Sequence, residues 1–315
     1  MDPSEPRIEI FAPFGEAFEL TKKILFQPFD IGKWFVIGFA AWLATFFNGA
    51  GFNYRTWNRN SDWNWRSQAH HHGAPFSLHD MPPWAIPVVV IGAILVLALI
   101  TVLIWLNSRG RFMFTDCIVR NRGAIAEPWR EFRTDGNRYF VFSIVITLGS
   151  LVVFGSLGFI IFIGWYWGNP VVPVALLILI GVAVILAALI VGLVIHFMVP
   201  VMYRQRCGPL EAFRAVWSLC TAHPGVFVLF ALFYILLCIA GAMIGCVATC
   251  LTCCIAALPY IGTVILLPVV MVLFAFPLCF LRQFGDPYDV WAVVRPTEPP
   301  PPPAVPPVQD ASPPA

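Results

Sequence analysis

Residues 85–107 read AIPVVVIGAILVLALITVLIWLN, with no Asp, Glu, Lys, Arg or His among them. At about 1.5 Å per residue this run makes a helix long enough for a hydrocarbon core of roughly 30 Å. A helix on the surface of a soluble domain carries a polar stripe opposite its apolar face. This run has none. One charge near its centre would raise the insertion free energy by about 2.5–3.5 kcal/mol, so the absence of charge is a strong constraint.

Five more windows free of Asp, Glu, Lys and Arg lie at 34–50, 139–165, 171–202, 225–256 and 260–281. The whole chain agrees with them. Of its 315 residues 59% are hydrophobic and 11% charged, with a mean hydropathy of +0.80. Soluble domains carry roughly 25% charged residues. The net charge of +2 is too small to predict a nucleic-acid partner. A cleavable leader is not expected either, because Asp2, Glu5, Glu9, Glu16, Glu19 and Asp30 crowd the first thirty residues. The sequence therefore predicts an all-α integral membrane protein with about six transmembrane helices.

The placement of Lys and Arg predicts the orientation. With six spans, sixteen of the nineteen fall on one side, and only Arg55, Arg59 and Arg66 fall on the other. Basic loops stay in the cytoplasm. Both termini are thus expected there, with the protein in the plasma (inner) membrane. The expected parts are a cytoplasmic N-terminal segment 1–33, a membrane domain 34–281 with an outer loop 51–83, and a cytoplasmic tail 282–315. From Pro296 that tail is rich in proline and is expected to be extended and disordered.

The spans pair into three hairpins that look like one unit used three times. Each is preceded by a short amphipathic stretch: Glu16 to Leu25, Glu127 to Phe132, and Glu211 to Leu219. In the first, Phe14, Phe18 and Leu25 can share a face. A break with glycine (Gly32, Gly136, Gly225) and an aromatic-led apolar run follow each stretch. Each unit leaves the membrane on arginine and then glycine: Arg122-Gly123, Arg206-Cys207-Gly208 and Arg282-Gln283-Phe284-Gly285. Such stretches belong in the cytoplasmic interface, with apolar faces toward the acyl chains.

Three motifs carry a resemblance. Pro28-Phe29-Asp30-Ile31-Gly32-Lys33-Trp34-Phe35-Val36-Ile37-Gly38-Phe39 resembles the opening of a family of uncharacterised bacterial multi-pass proteins. Gly208-Pro209-Leu210-Glu211-Ala212-Phe213 and Pro259-Tyr260-Ile261-Gly262-Thr263 are similar to later parts of such chains. These chains in turn resemble the membrane domain that accompanies some glycerophosphoryl diester phosphodiesterases. The resemblance spans most of residues 14–290 and implies a helical membrane domain. It does not imply hydrolysis, because no His-Arg-Gly occurs and no stretch is long and polar enough for the phosphodiesterase barrel.

Candidate chemistry is sparse. Cys238, Cys246, Cys250 and Cys254 share a ridge of the fifth window, beside Gly241, Gly245, Thr249 and Cys253. Thiolates so spaced could hold Cu(I) or zinc. Gly241-x-x-x-Gly245 equally suits close helix packing, with cysteine acting as a small apolar residue. Packing is the preferred reading. In the outer loop, adjacent His70, His71 and His72 with His79 and Asp80 offer imidazole and carboxylate, but no preset geometry. His196 is the one imidazole inside a window, and it is expected to bond a neighbouring helix. Pro200, Pro268 and Pro277 are candidate kinks. Arg109, Arg111, Arg120 and Arg122 could meet anionic headgroups, although simple orientation explains them as well.

No catalytic, cofactor or metal residue follows from these patterns. The expected activity is that of a non-enzymatic membrane scaffold or assembly component, with membrane lipids and cytoplasmic proteins as partners. A lipid or amphiphile carrier is the alternative, and metal handling through the cysteines a lower one.

Overall fold

The computed structural model describes residues 9–45, 85–166, 171–252 and 258–295. The outer-loop residues His70, His71, His72 and His79, together with Cys253 and Cys254, lie outside these ranges. Among the described residues every regular element is helical. In chain order these are α1 (Phe11–Phe26), α2 (Ile31–Thr45), α3 (Ala85–Val119), α4 (Ala126–Glu131), α5 (Arg133–Tyr166) and α6 (Val171–Gln205). Then come α7 (Pro209–Ala222), α8 (Pro224–Leu251), α9 (Pro259–Ile265) and α10 (Leu267–Arg282).

Four of the helices, α3, α5, α6 and α8, are long and apolar enough to cross a membrane. Short α1, α4 and α7 occupy the three stretches read as amphipathic. Their starts are locally encoded. Pro209 opens α7 where its missing N–H costs nothing, and the Glu211 carboxylate accepts the Gly208 N–H at 3.1 Å. At the head of α2, Asp30 Oδ1 accepts the Gly32 N–H at 2.8 Å.

Boundaries differ from the sequence reading in three informative places. α3 does not end at Asn107 but runs on to Val119, 35 residues in all and about 52 Å. No proline interrupts residues 108–120, and Phe112, Met113, Phe114, Cys117 and Ile118 continue the apolar pattern while partners hold the charges. The sixth window is two helices that meet at Leu266, because Pro268 has no N–H to carry the ladder across. Third, residues 283–295, grouped with the tail by sequence, fold back as two 3-10 turns, Asp286–Tyr288 and Val290–Val293. Val290 is buried there, and α6 grips the first turn through Arg204 Nε to Asp286 O (3.2 Å) and Gln205 Nε2 to Pro287 O (3.1 Å).

Packing concentrates at the basic end of the helices. α2 lies antiparallel along the C-terminal half of α3, with Lys33 Nζ donating to Asn121 Oδ1 (2.8 Å) and Asn107 Nδ2 donating to Leu43 O (2.8 Å). The two backbones nearly touch at Gly110, where a Cβ would sit 2.5 Å from Leu43 Cβ. α9 closes on α2: Trp34 Nε1 donates to Val264 O at 2.9 Å, and Tyr260 OH to Phe35 O at 3.1 Å. Two of the three resemblance motifs thus meet across more than 200 residues of sequence. α1 packs on α10, buries Pro13, Ala17, Thr21, Ile24 and Leu25, and pairs Glu16 with Arg282 at 3.1 Å. Of the Phe14, Phe18 and Leu25 face, Leu25 is buried and Phe14 packs against Phe276, while Phe18 stays half exposed.

Candidate functional site

At its last turns α3 meets α4, the start of α5 and the end of α6, and the described ionisable groups are densest there. Asp116 on α3 is fully buried. Its Oδ1 accepts from Arg120 Nε at 3.1 Å and from Tyr203 OH at 2.9 Å. Its Oδ2 accepts from Arg122 Nη2 at 3.1 Å and Arg122 Nε at 3.2 Å. A carboxylate removed from water needs this saturation, because an unpaired buried charge costs several kcal/mol.

The network spreads outward through α4. Arg120 also reaches Glu131 (3.0 Å), and Arg122 reaches Glu127 (2.6 Å). Burial opposes the Arg120 charge, but Asp116, Tyr203 and Glu131 outweigh it and hold its guanidinium protonated beyond the ordinary range. From the end of α6, Arg206 pairs with Glu131 and lies 3.6 Å from Asp135. Its guanidinium covers the Phe132 ring at 4.2 Å. Phe132 is itself stacked between Phe112 (5.9 Å) and Tyr203 (4.9 Å). Arg206 takes a left-handed backbone (φ 51°), uncommon for a residue with a Cβ.

A second knot sits about two turns deeper. Buried Arg109 lies between the rings of Trp105 (4.3 Å) and Trp129 (4.7 Å). Asn137 Oδ1 accepts from Arg109 Nη2 at 2.9 Å and from Trp105 Nε1 at 3.0 Å. Arg111 donates from Nη1 to Tyr139 OH at 2.7 Å. All four arginines considered as headgroup binders are therefore engaged with groups inside the protein. Chemically the arrangement is a latch: charge-assisted bonds and stacked rings tie four helices together.

The remaining candidates are dispersed. On α8, Gly241 and Gly245 are buried while Cys246 and Cys250 face outward. The glycine ridge, not the cysteine ridge, is the packed one. No group of three metal-ligating side chains occurs among the described residues. On α7, burial pushes the Cys220 thiol up to about 11. His196 does not bond a neighbouring helix among the described residues. Its Nε2 is buried without a partner.

Sequence reasoning misses Asp116 and Tyr203. Their bond joins positions 87 residues apart, which no local pattern reveals. The usable signal is the absence of proline between Asn107 and Asn121, which lets the helix run on to the charges.

Comparison with known proteins places residues 9–293 in a family of unknown function (DUF7544), and the chain belongs to that family. No curated protein and no solved structure matches it.

Proposed function

We propose that this protein is a multi-pass scaffold or assembly component of the plasma (inner) membrane, non-enzymatic, with six spans in three hairpins and both termini in the cytoplasm. The observation that carries this reading is the latch around Asp116. Its ionisable groups are spent on one another, and they fix the register of α3, α4, α5 and α6. Packing order supports the repeat. α4 packs on α3 and α7 on α6, each on the helix that closes the preceding hairpin, while α1 packs on α10 and so joins the last hairpin to the first. The proposed likeness to the membrane domain accompanying some phosphodiesterases concerns this helical domain alone.

The partners proposed are membrane lipids around the apolar halves and proteins at the cytoplasmic face. Photo-crosslinking in native membranes tests the scaffold reading. The expected result is a reproducible protein partner crosslinked through α1, α4 or α7. Recovery of lipid alone would contradict it.

A carrier of lipid or another amphiphile is the second reading, favoured by the exposed apolar halves of α3, α5 and α6. Reconstituted vesicles would then show saturable movement of a fluorescent phospholipid between leaflets. A rate equal to that of protein-free vesicles removes this reading.

A further inference from the structure

A small cavity of about 30 Å³ lies where α3, α6 and α10 converge, lined by Arg111 and Thr115, by His196 and Pro200, and by Phe274 and Pro277. Room for one water-sized particle begins at about 10–15 Å³ on this measure. The space therefore fits one or two such particles and no larger group. Two polar side-chain atoms at this cavity, Arg111 Nε and His196 Nε2, are buried with no hydrogen-bond partner. They are the two such atoms among the described residues. Buried polar groups are nearly always satisfied, so two orphans at one cavity indicate an occupant.

Charge decides which kind. Arg111 carries a permanent positive charge, and its one side-chain hydrogen bond among the described residues goes to the neutral Tyr139 hydroxyl. No carboxylate lines the cavity. The Thr115 hydroxyl is already used, donating to Arg111 O at 2.9 Å. Pro200 and Pro277 have no N–H and leave the carbonyls of His196 and Leu273 without their ladder donors. A water could bond those carbonyls, but it would supply no counter-charge to the part-buried guanidinium, whose Nε is sealed from solvent.

The positions are also related. Arg111 stands ten residues before Asn121 and His196 ten before Arg206, the two residues that close α3 and α6 in a left-handed conformation (φ 51° each). Equivalent places on two helices thus bring their donors to one point.

We propose that this cavity is an anion site, holding one monovalent ion of halide size between Arg111 Nε–H and the Nε2–H tautomer of His196. The ion offsets the Arg111 charge and joins α3 to α6 at a depth the Asp116 latch does not reach.

The test uses the full chain in lipid nanodiscs, melted in sodium chloride, sodium bromide or sodium gluconate at matched ionic strength. Gluconate is too large for the cavity. A ligand bound only by the folded state raises the melting temperature by mass action. Chloride and bromide are expected to give a saturable rise of several degrees over gluconate. That rise should vanish in Arg111→Gln and in His196→Phe, the latter keeping an aromatic ring without a donor, and persist in Arg214→Gln on the exposed face of α7. Should Arg111→Gln fail to fold, His196→Phe carries the test alone. Identical curves in all three salts, or a halide rise that survives His196→Phe, would overturn the proposal and leave the cavity to water.

Discussion

The two halves of α3 share one helix, yet they live in different surroundings. Toward its C-terminus Phe112 and Phe114 are fully buried, and Asp116 beside them holds two arginines and a tyrosine. Toward its N-terminus Leu97 is 65% exposed, and Val88, Ile91, Ile94 and Leu95 are exposed with it. α5 and α6 repeat the contrast, with Leu151 and Val152 open to the surroundings while Tyr139 and Tyr203 are sealed. Protein packing accounts for the first half. The second suits an apolar solvent, since burying one Leu side chain away from water is worth about 1.5–3 kcal/mol. Apolarity alone therefore does not say where the core is. The buried charges do, because they persist only where the protein surrounds them.

The contrast can be broken most sharply at the packed end. Asp116→Ala strands Arg120, Arg122 and Tyr203, and removing one partner of a buried ion pair costs about 3–5 kcal/mol. The arginines are 24% and 28% exposed and recover some solvation, so the lower end of about 3 kcal/mol is expected. Reversible unfolding in mixed micelles measures it. Near-wild-type stability would show that the latch does not hold the helices.

At the open end a charge should act through the bilayer and not through packing. Leu97→Asp is expected to raise the apparent insertion free energy of α3 by about 3–4 kcal/mol in a translocon assay, while the packed end stays intact. An unchanged value would place Leu97 in water.

Overpacking comes next. Gly110→Val pushes a side chain into Leu43 across the α2–α3 contact. A loss of about 1–3 kcal/mol is expected, read as a lowered melting temperature. No loss would mean that α2 moves freely against α3.

The smallest effect is expected from Leu97→Ala, within about 0.5 kcal/mol because no packed neighbour is lost. A large loss would reveal a protein partner on that face.

Much of this contrast is legible in the amino-acid sequence, and the part that is not has a physical cause. Runs such as 85–107 announce membrane helices through length and lack of charge, and Pro209 with Glu211 marks the start of α7 from local chemistry alone. The amphipathic stretches are equally plain, but the packed face of α1 is so only in part. Phe18 has the size of an anchor, whereas Ala17 and Thr21 allow the close approach to α10. The latch is invisible for a different reason. Glu131 meets Arg206 across 75 residues and Asp116 meets Tyr203 across 87, and topology, not spacing, decides such pairs. Arginines that read as loop charges are in part helix residues, and their partners lie inside the protein. His196 stands out as a lone imidazole, but its meeting with Arg111 at one cavity depends on how α3 and α6 converge.

The most direct test is lipid-phase labelling in native membranes with a hydrophobic, photoactivated carbene precursor, followed by peptide mapping. The expected labels fall on the exposed runs of α3 (Val88 to Val102), α5 (Leu148 to Ile160), α6 (Val182 to Ile190) and α8 (Leu229 to Val247). The peptide from Phe112 to Val119 should stay clean. Equal labelling of both ends of α3, or labels concentrated around Asp116, would contradict the division into a protein-packed half and a lipid-facing half.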